Sequence, residues 1–101
     1  MRDPIDTHQD AASESQQEAD ARRKALQAVE DLKWLMAHAQ GRRIVARVFE
    51  QTGIRRTPFH TNGSTMAFNT GQQNIGLWLE AEVLSAAPDG YYRLLKEYRN
   101  E

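Results

Sequence analysis

The sequence predicts an all-α fold, a small bundle of three to four helices with a long N-terminal helix and a flexible polar arm. Three features of its 101 residues carry that expectation. Apolar residues recur every three or four positions in four separate stretches. No segment alternates apolar and polar residues as a half-buried strand does. Gly41, Gly53 and Pro88 fall at the junctions, where helices stop or start. The apolar side chains are also confined: of the 27 large ones only Met1 and Ile5 precede Leu26, so the core is expected to begin near residue 26.

Residues 1–12 are polar, contain Pro4 and have no period, which reads as a flexible arm. Residues 13–101 then make a single helical domain. Helix one is expected from Ser13 or Ser15, either of which can cap it, to Ala39, with Gly41 just past its end. Glu14, Glu18 and Asp20 lie near its positive pole, and Glu18 with Arg22 and Asp20 with Lys24 form acid-first pairs one turn apart. It is almost entirely polar up to Lys24, whereas Val29, Leu32, Leu35, Met36 and Ala39 form an apolar stripe. A rod of about 27 residues spans roughly 40 Å, more than the width of a globule of this size, so its first half cannot all be core. That half either frays in solvent or is an arm that becomes ordered against a neighbouring subunit.

Helix two is expected over Arg42 to Thr52, with Ile44, Val45, Val48 and Phe49 on one side, Arg43, Arg47 and Glu50 on the other, and Gly53 as its stop. The stretch from Ile54 to Ser64 has no period, and Phe59 is its expected pin. Helix three starts at Ser64 or Thr65 and ends before Pro88. Phe68, Gly71, Ile75, Leu79, Val83 and Ala86 share one face, while Met66, Leu77, Ala81 and Leu84 fall opposite, so its middle must be covered twice. In an ordinary bundle that marks the central helix; the alternative is that the second face meets another protein. Gly71 and Gly76 are poor helix formers and imply close approach of a neighbouring helix or of a ring such as that of Trp34. Helix four starts at Pro88 and turns Tyr91, Leu94, Leu95 and Tyr98 inward.

Composition excludes several classes of function. Without cysteine there is no disulfide framework, thiolate metal site or cysteine nucleophile. No apolar run is long enough for a signal peptide or a membrane span. His8, His38 and His60 are far apart and have no partner at the spacing of a helical metal motif. Ser64 and Thr65 read as helix caps rather than nucleophiles, and no glycine-rich loop cradles a phosphate. Glu82 is the one acid on the main apolar face of helix three, a place where it reaches water or an arginine. The expectation is therefore no enzyme, no catalytic residue, no metal and no cofactor.

The net charge of −1 conceals segregation: residues 1–31 sum to −4, residues 32–60 to +5 and residues 61–101 to −2. Arg42, Arg43, Arg47, Arg55 and Arg56 together can neutralise several phosphates. A helix-turn-helix, however, joins its helices by three or four residues, and about eleven separate helices two and three. A basic segment that meets the acidic segments of another copy accounts for the same residues.

Asp31-Leu32-Lys33-Trp34-Leu35-Met36, then Gly41-Arg42-Arg43 and Gln51-Thr52-Gly53-Ile54, resemble a family of small helical proteins from short-tailed bacteriophages, named after a Bordetella phage product. Phe59, Phe68, Gly71-Gln72-Gln73-Asn74-Ile75-Gly76-Leu77 and the stretch from Tyr92 to Glu97 extend the resemblance over residues 28–98. Thr57-Pro58 departs from a more serine-like pair, and the acidic N-terminal extension stands outside the resemblance. The resemblance implies a virion structural or assembly accessory, at or near the portal or head-tail vertex, in the virion or in the host cytoplasm during assembly, and without enzymatic activity. Its partners are then other phage structural proteins and further copies of itself. Met66, Leu77 and Leu84 are the expected apolar contacts, with Arg43, Arg47, Arg55 and Arg56 and the arm residues Glu18 and Arg22 fixing register. The rival readings are a DNA-packaging or DNA-binding accessory that uses the arginine cluster, and an internal virion protein ejected with the genome.

Overall fold

The computed structural model of the protein describes residues 4–98, with side chains from Ser13 on. Four helices follow one another: α1 (Pro4–Ala37), α2 (Ala39–Thr52), α3 (Gly63–Ala86) and α4 (Pro88–Glu97). No strand occurs among the described residues. The all-α expectation holds, with four helices.

α1 starts at Pro4, well before Ser13, and its 34 residues make a rod of about 50 Å. Proline suits a first helical position, where its missing N–H costs nothing. Most of the stretch read from sequence as an arm is thus helix. The sequence reading also misplaces the other end. The chain turns at His38, which is extended (φ −107°, ψ 137°), and α2 resumes at Ala39. His38 Nδ1 donates to the Trp34 carbonyl at 2.6 Å, satisfying an acceptor that the end of α1 would leave unpaired. Gly41 is accordingly no terminator. It lies buried in the first turn of α2, where a Cβ would run into the backbone carbonyl of Leu35.

The later boundaries follow local chemistry. Gly53 closes α2 in the left-handed conformation (φ 69°), its N–H shared between the Phe49 and Glu50 carbonyls. α3 is capped by Asn62, whose side chain accepts from the Thr65 N–H at 3.0 Å, so Ser64 and Thr65 are not the caps. α4 starts at Pro88 as expected, and Ala87 alone joins it to α3.

The core draws on every helix. Met36, Val45 and Val83 are fully enclosed, and Phe49, Ile54, Ala86, Tyr91 and Leu94 complete it. Gly76 brings α3 against the side chains of Thr52 and Ile54, and Gly90 brings α4 against Met36, whose Cβ would be 2.7 Å from an added Cβ. The close neighbour of Gly76 is therefore not Trp34, which is exposed, and Gly71 faces open space. Phe59, the expected pin of the long connection, is also exposed.

One charge is built into this core. Arg42 is 7% exposed; its Nη1 donates to the Met36 carbonyl at 2.9 Å and its Nε to Glu97 at 3.0 Å, tying the end of α1 to α2 and α4. The Arg42 hydrogen bond holds the Glu97 carboxyl below its ordinary value, with further help from Arg43 and Arg93. A carboxyl whose folded value is depressed contributes stability above its unfolded value and loses that contribution as pH falls through the folded one. The thermal midpoint is therefore expected to drop on acidification below the usual carboxylate range, and Glu97→Gln to flatten that part of a midpoint-against-pH series.

The molecule is long and thin. Its radius of gyration is 19.8 Å, against about 13 Å for a compact chain of this length, and its extents are 64 × 39 × 16 Å. The shortest dimension holds two packed helices and no third, since neighbouring axes lie roughly 8–10 Å apart.

Candidate functional site

α3 is turned inside out over its first half. The side chains that face its own chain there are polar. Asn69 donates to the Pro58 carbonyl at 3.4 Å, and Gln73 Nε2 donates to the carbonyls of Gly53 at 3.1 Å and Arg56 at 2.7 Å. These amides, not Phe59, fasten the connection between α2 and α3. Satisfying otherwise orphaned loop carbonyls costs the helix its apolar inner face at those positions. Phe68, Ile75 and Trp78 consequently point outward, each more than 60% exposed, along one face of the helix.

The sequence reading placed Phe68 and Ile75 on the buried face, and the structure corrects it. Only from Leu79 onward does that face enter the core, through Val83 and Ala86. Met66, Leu77 and Leu84, the expected contact residues, lie along the other edge of α3 and are about 40% exposed. Leu26 and Trp34 on α1, Ile44 on α2, Phe59 and Tyr92 add to the uncovered apolar surface. Sequence reasoning missed the strongest of these because it took apolar side chains at helical spacing as inward by default. The clustered amides of Asn69, Gln72 and Gln73 were the available signal that the helix faces the other way.

The acid that matters on α3 is Glu80 rather than Glu82. Its side chain is largely buried, accepts from Tyr91 Oη at 2.9 Å and pairs with Arg55 Nη2 at 2.5 Å. Burial and the bond to Glu80 both raise the Tyr91 phenol above its ordinary value. Arg55 is likewise raised, chiefly by its hydrogen bond to Glu80. This trio links the segment after α2 to α3 and α4, and its chemistry is structural.

The arginines divide by role. Arg42 and Arg55 are spent on Glu97 and Glu80, and Arg56 donates to the Glu50 carbonyl at 2.7 Å. Arg43 and Arg47 are exposed, one turn apart on α2, and form no ion pair among the described residues. Together Arg43, Arg47, Arg55 and Arg56, with the single acid Glu50 among them, rim a groove of about 620 Å³ between α2 and α4. Its floor is apolar, formed by Ala46, Phe49, Ile54, Leu94, Leu95 and Tyr98. A second hollow over Tyr92 and Lys96 shares Leu94, Leu95 and Tyr98 and lengthens it. The structure thus brings the basic candidates together along one channel. It leaves Glu18 and Arg22 apart on the free half of α1, where Asp20 pairs with Arg23 instead.

Among the described residues no group of three or more His, Cys, Asp or Glu is placed to hold a metal ion. No described helix is long and apolar enough to cross a membrane. Residues 32–96 match the family model described as Bbp19-like phage protein. The matched region contains α2, α3, nearly all of α4 and the packed end of α1. No curated protein and no solved structure matches the chain.

Proposed function

Because this chain belongs to the Bbp19-like phage proteins, we propose that it is a bacteriophage structural or assembly accessory that docks onto other phage proteins at or near the portal or head-tail vertex. The observation that carries this reading is the outward apolar face of α3 formed by Phe68, Ile75 and Trp78. Two tryptophan- and phenylalanine-sized rings flanking an isoleucine on one face are the raw material of an interface hot spot, and their exposure in solution is unfavourable unless something covers them. Docking would bury this face and the adjoining edge at Met66, Leu77 and Leu84. The protein needs no catalytic group, metal or cofactor for such a role.

The DNA-accessory reading rests on the same five arginines, of which Arg42 is buried against Glu97 and Arg55 is paired with Glu80. The groove that Arg43, Arg47, Arg55 and Arg56 rim has an apolar floor, of which a phosphate backbone makes little use. Protein contact therefore takes precedence, and a role as an internal protein ejected with the genome has no particular residue in its favour.

Quantitative mass spectrometry of purified particles tests the proposal. The chain is expected at a fixed ratio to the portal or tail proteins and to remain after nuclease treatment. Its absence from particles and from assembly intermediates would remove the proposal.

A further inference from the structure

We propose that copies of this chain assemble head to tail, the acidic first half of α1 of one molecule lying in the arginine-rimmed groove between α2 and α4 of the next. This goes beyond the docking of α3 and concerns a different surface, so it stands or falls in the purified protein whatever the particle contains.

The groove specifies its occupant. A cationic rim fits a helix that presents a run of acids. The chain carries such a helix. Residues 1–20 hold six acids and one base. Glu14, Glu18 and Asp20 precede the bases Arg22, Arg23 and Lys24, so the acidic character is confined to the first half of α1. From Ser13 to Ala28 every side chain except Ala19 and Asp20 is exposed, so this half of α1 has no cover from its own chain.

Geometry makes the pairing intermolecular. α1 runs without interruption from Pro4 to Ala37, and the groove lies on elements beyond the turn at His38. An unbroken helix cannot fold back to reach it. Donor and acceptor surfaces therefore differ, and a contact of that kind repeats into a closed ring or an open filament rather than a simple two-fold dimer. Exposed ion pairs add little affinity one by one, so the contact draws on the whole set of acids facing the rim, which also sets register and excludes the reverse orientation.

Sedimentation of the full chain over a range of concentration and salt tests this. Wild type is expected to associate reversibly, less so as salt screens the rim. Arg43→Glu with Arg47→Glu, or Glu18→Lys with Asp20→Lys, is expected to weaken association about tenfold or more. Circular dichroism should be unchanged, because all four positions lie outside the core. The chain carrying all four reversals is expected to associate again, since each opposing pair is restored with its sign exchanged. A wild type that stays monomeric at low salt, a reversal that leaves association intact, or a fourfold variant that fails to recover overturns the proposal. So does a monomer that binds duplex DNA through Arg43 and Arg47, which would identify the occupant as nucleic acid.

Discussion

Gly41→Ala is expected to destabilise the protein by about 3 kcal/mol, at the upper end of what an overpacked site costs. The reason lies in the corner between α1 and α2. One extended residue, His38, turns the chain, and the first turn of α2 then presses against the last of α1. An added Cβ at Gly41 meets the Leu35 carbonyl, and backbone cannot step aside as the tip of a flexible side chain can. Relief requires the corner to open, which would pull apart Met36 and Arg42, both buried within it. A domain this small has only a few kcal/mol of net stability, so much of the variant should be unfolded at 37 °C in the absence of a partner. Gly71→Ala is the control: nothing lies within 4 Å of its Cβ position, and helix propensity alone should favour alanine by up to about 1 kcal/mol. Urea titration of the two variants beside wild type decides the matter. A Gly41→Ala protein with an unshifted midpoint would mean that the corner is not tight.

Replacing Phe68, Ile75 and Trp78 together by glutamine should leave the fold nearly unaltered and abolish incorporation into particles. Each of the three is more than 60% exposed, so each change is expected to move stability by no more than about 0.5 kcal/mol, and glutamine is at home in a helix. For docking the balance is reversed. Aromatic hot-spot side chains at the centre of an interface cost about 2 kcal/mol or more each when truncated, so losing two of them lowers affinity by a hundredfold or more. The comparison to make is the amount of the chain in particles assembled with the variant against wild type, together with a thermal melt of the purified protein. Wild-type incorporation of a well-folded triple variant would show that the outer face of α3 is not the docking surface. The equivalent change at Met66, Leu77 and Leu84 should give a smaller loss, because these side chains are already partly covered by their own chain.

Much of the architecture was legible from local rules. Gly53 stops α2 in the left-handed conformation that few residues other than glycine adopt readily, and Pro88 opens α4 at a position where proline is favoured. The apolar distribution places the start of the core too early: Leu26 is exposed, Leu32 is packed against the core, and Met36 is the first buried apolar side chain. What escaped was set by contacts distant in sequence. Gly41 resembles a terminator until the approach of Leu35 is known, and His38 carries no strong stop signal of its own. Helical periodicity marks which residues of α3 share a face but not which face turns inward, because Gln73 secures carbonyls twenty and seventeen positions earlier. Glu80 was overlooked for the same reason: its partners, Arg55 and Tyr91, come from the segment after α2 and from α4. The arginine cluster was visible in the sequence, whereas its partition between internal ties and an open rim depended on where Glu80 and Glu97 arrive.

A body only 16 Å thick leaves no helix enclosed on all sides. Its interior is a handful of side chains strung along the seams, so most surface positions are free to vary without disturbing what keeps the chain folded. Evolution can then retune the outward residues to suit a different neighbour while the seams stay as they are, which makes this plate-like scaffold an adaptable gasket.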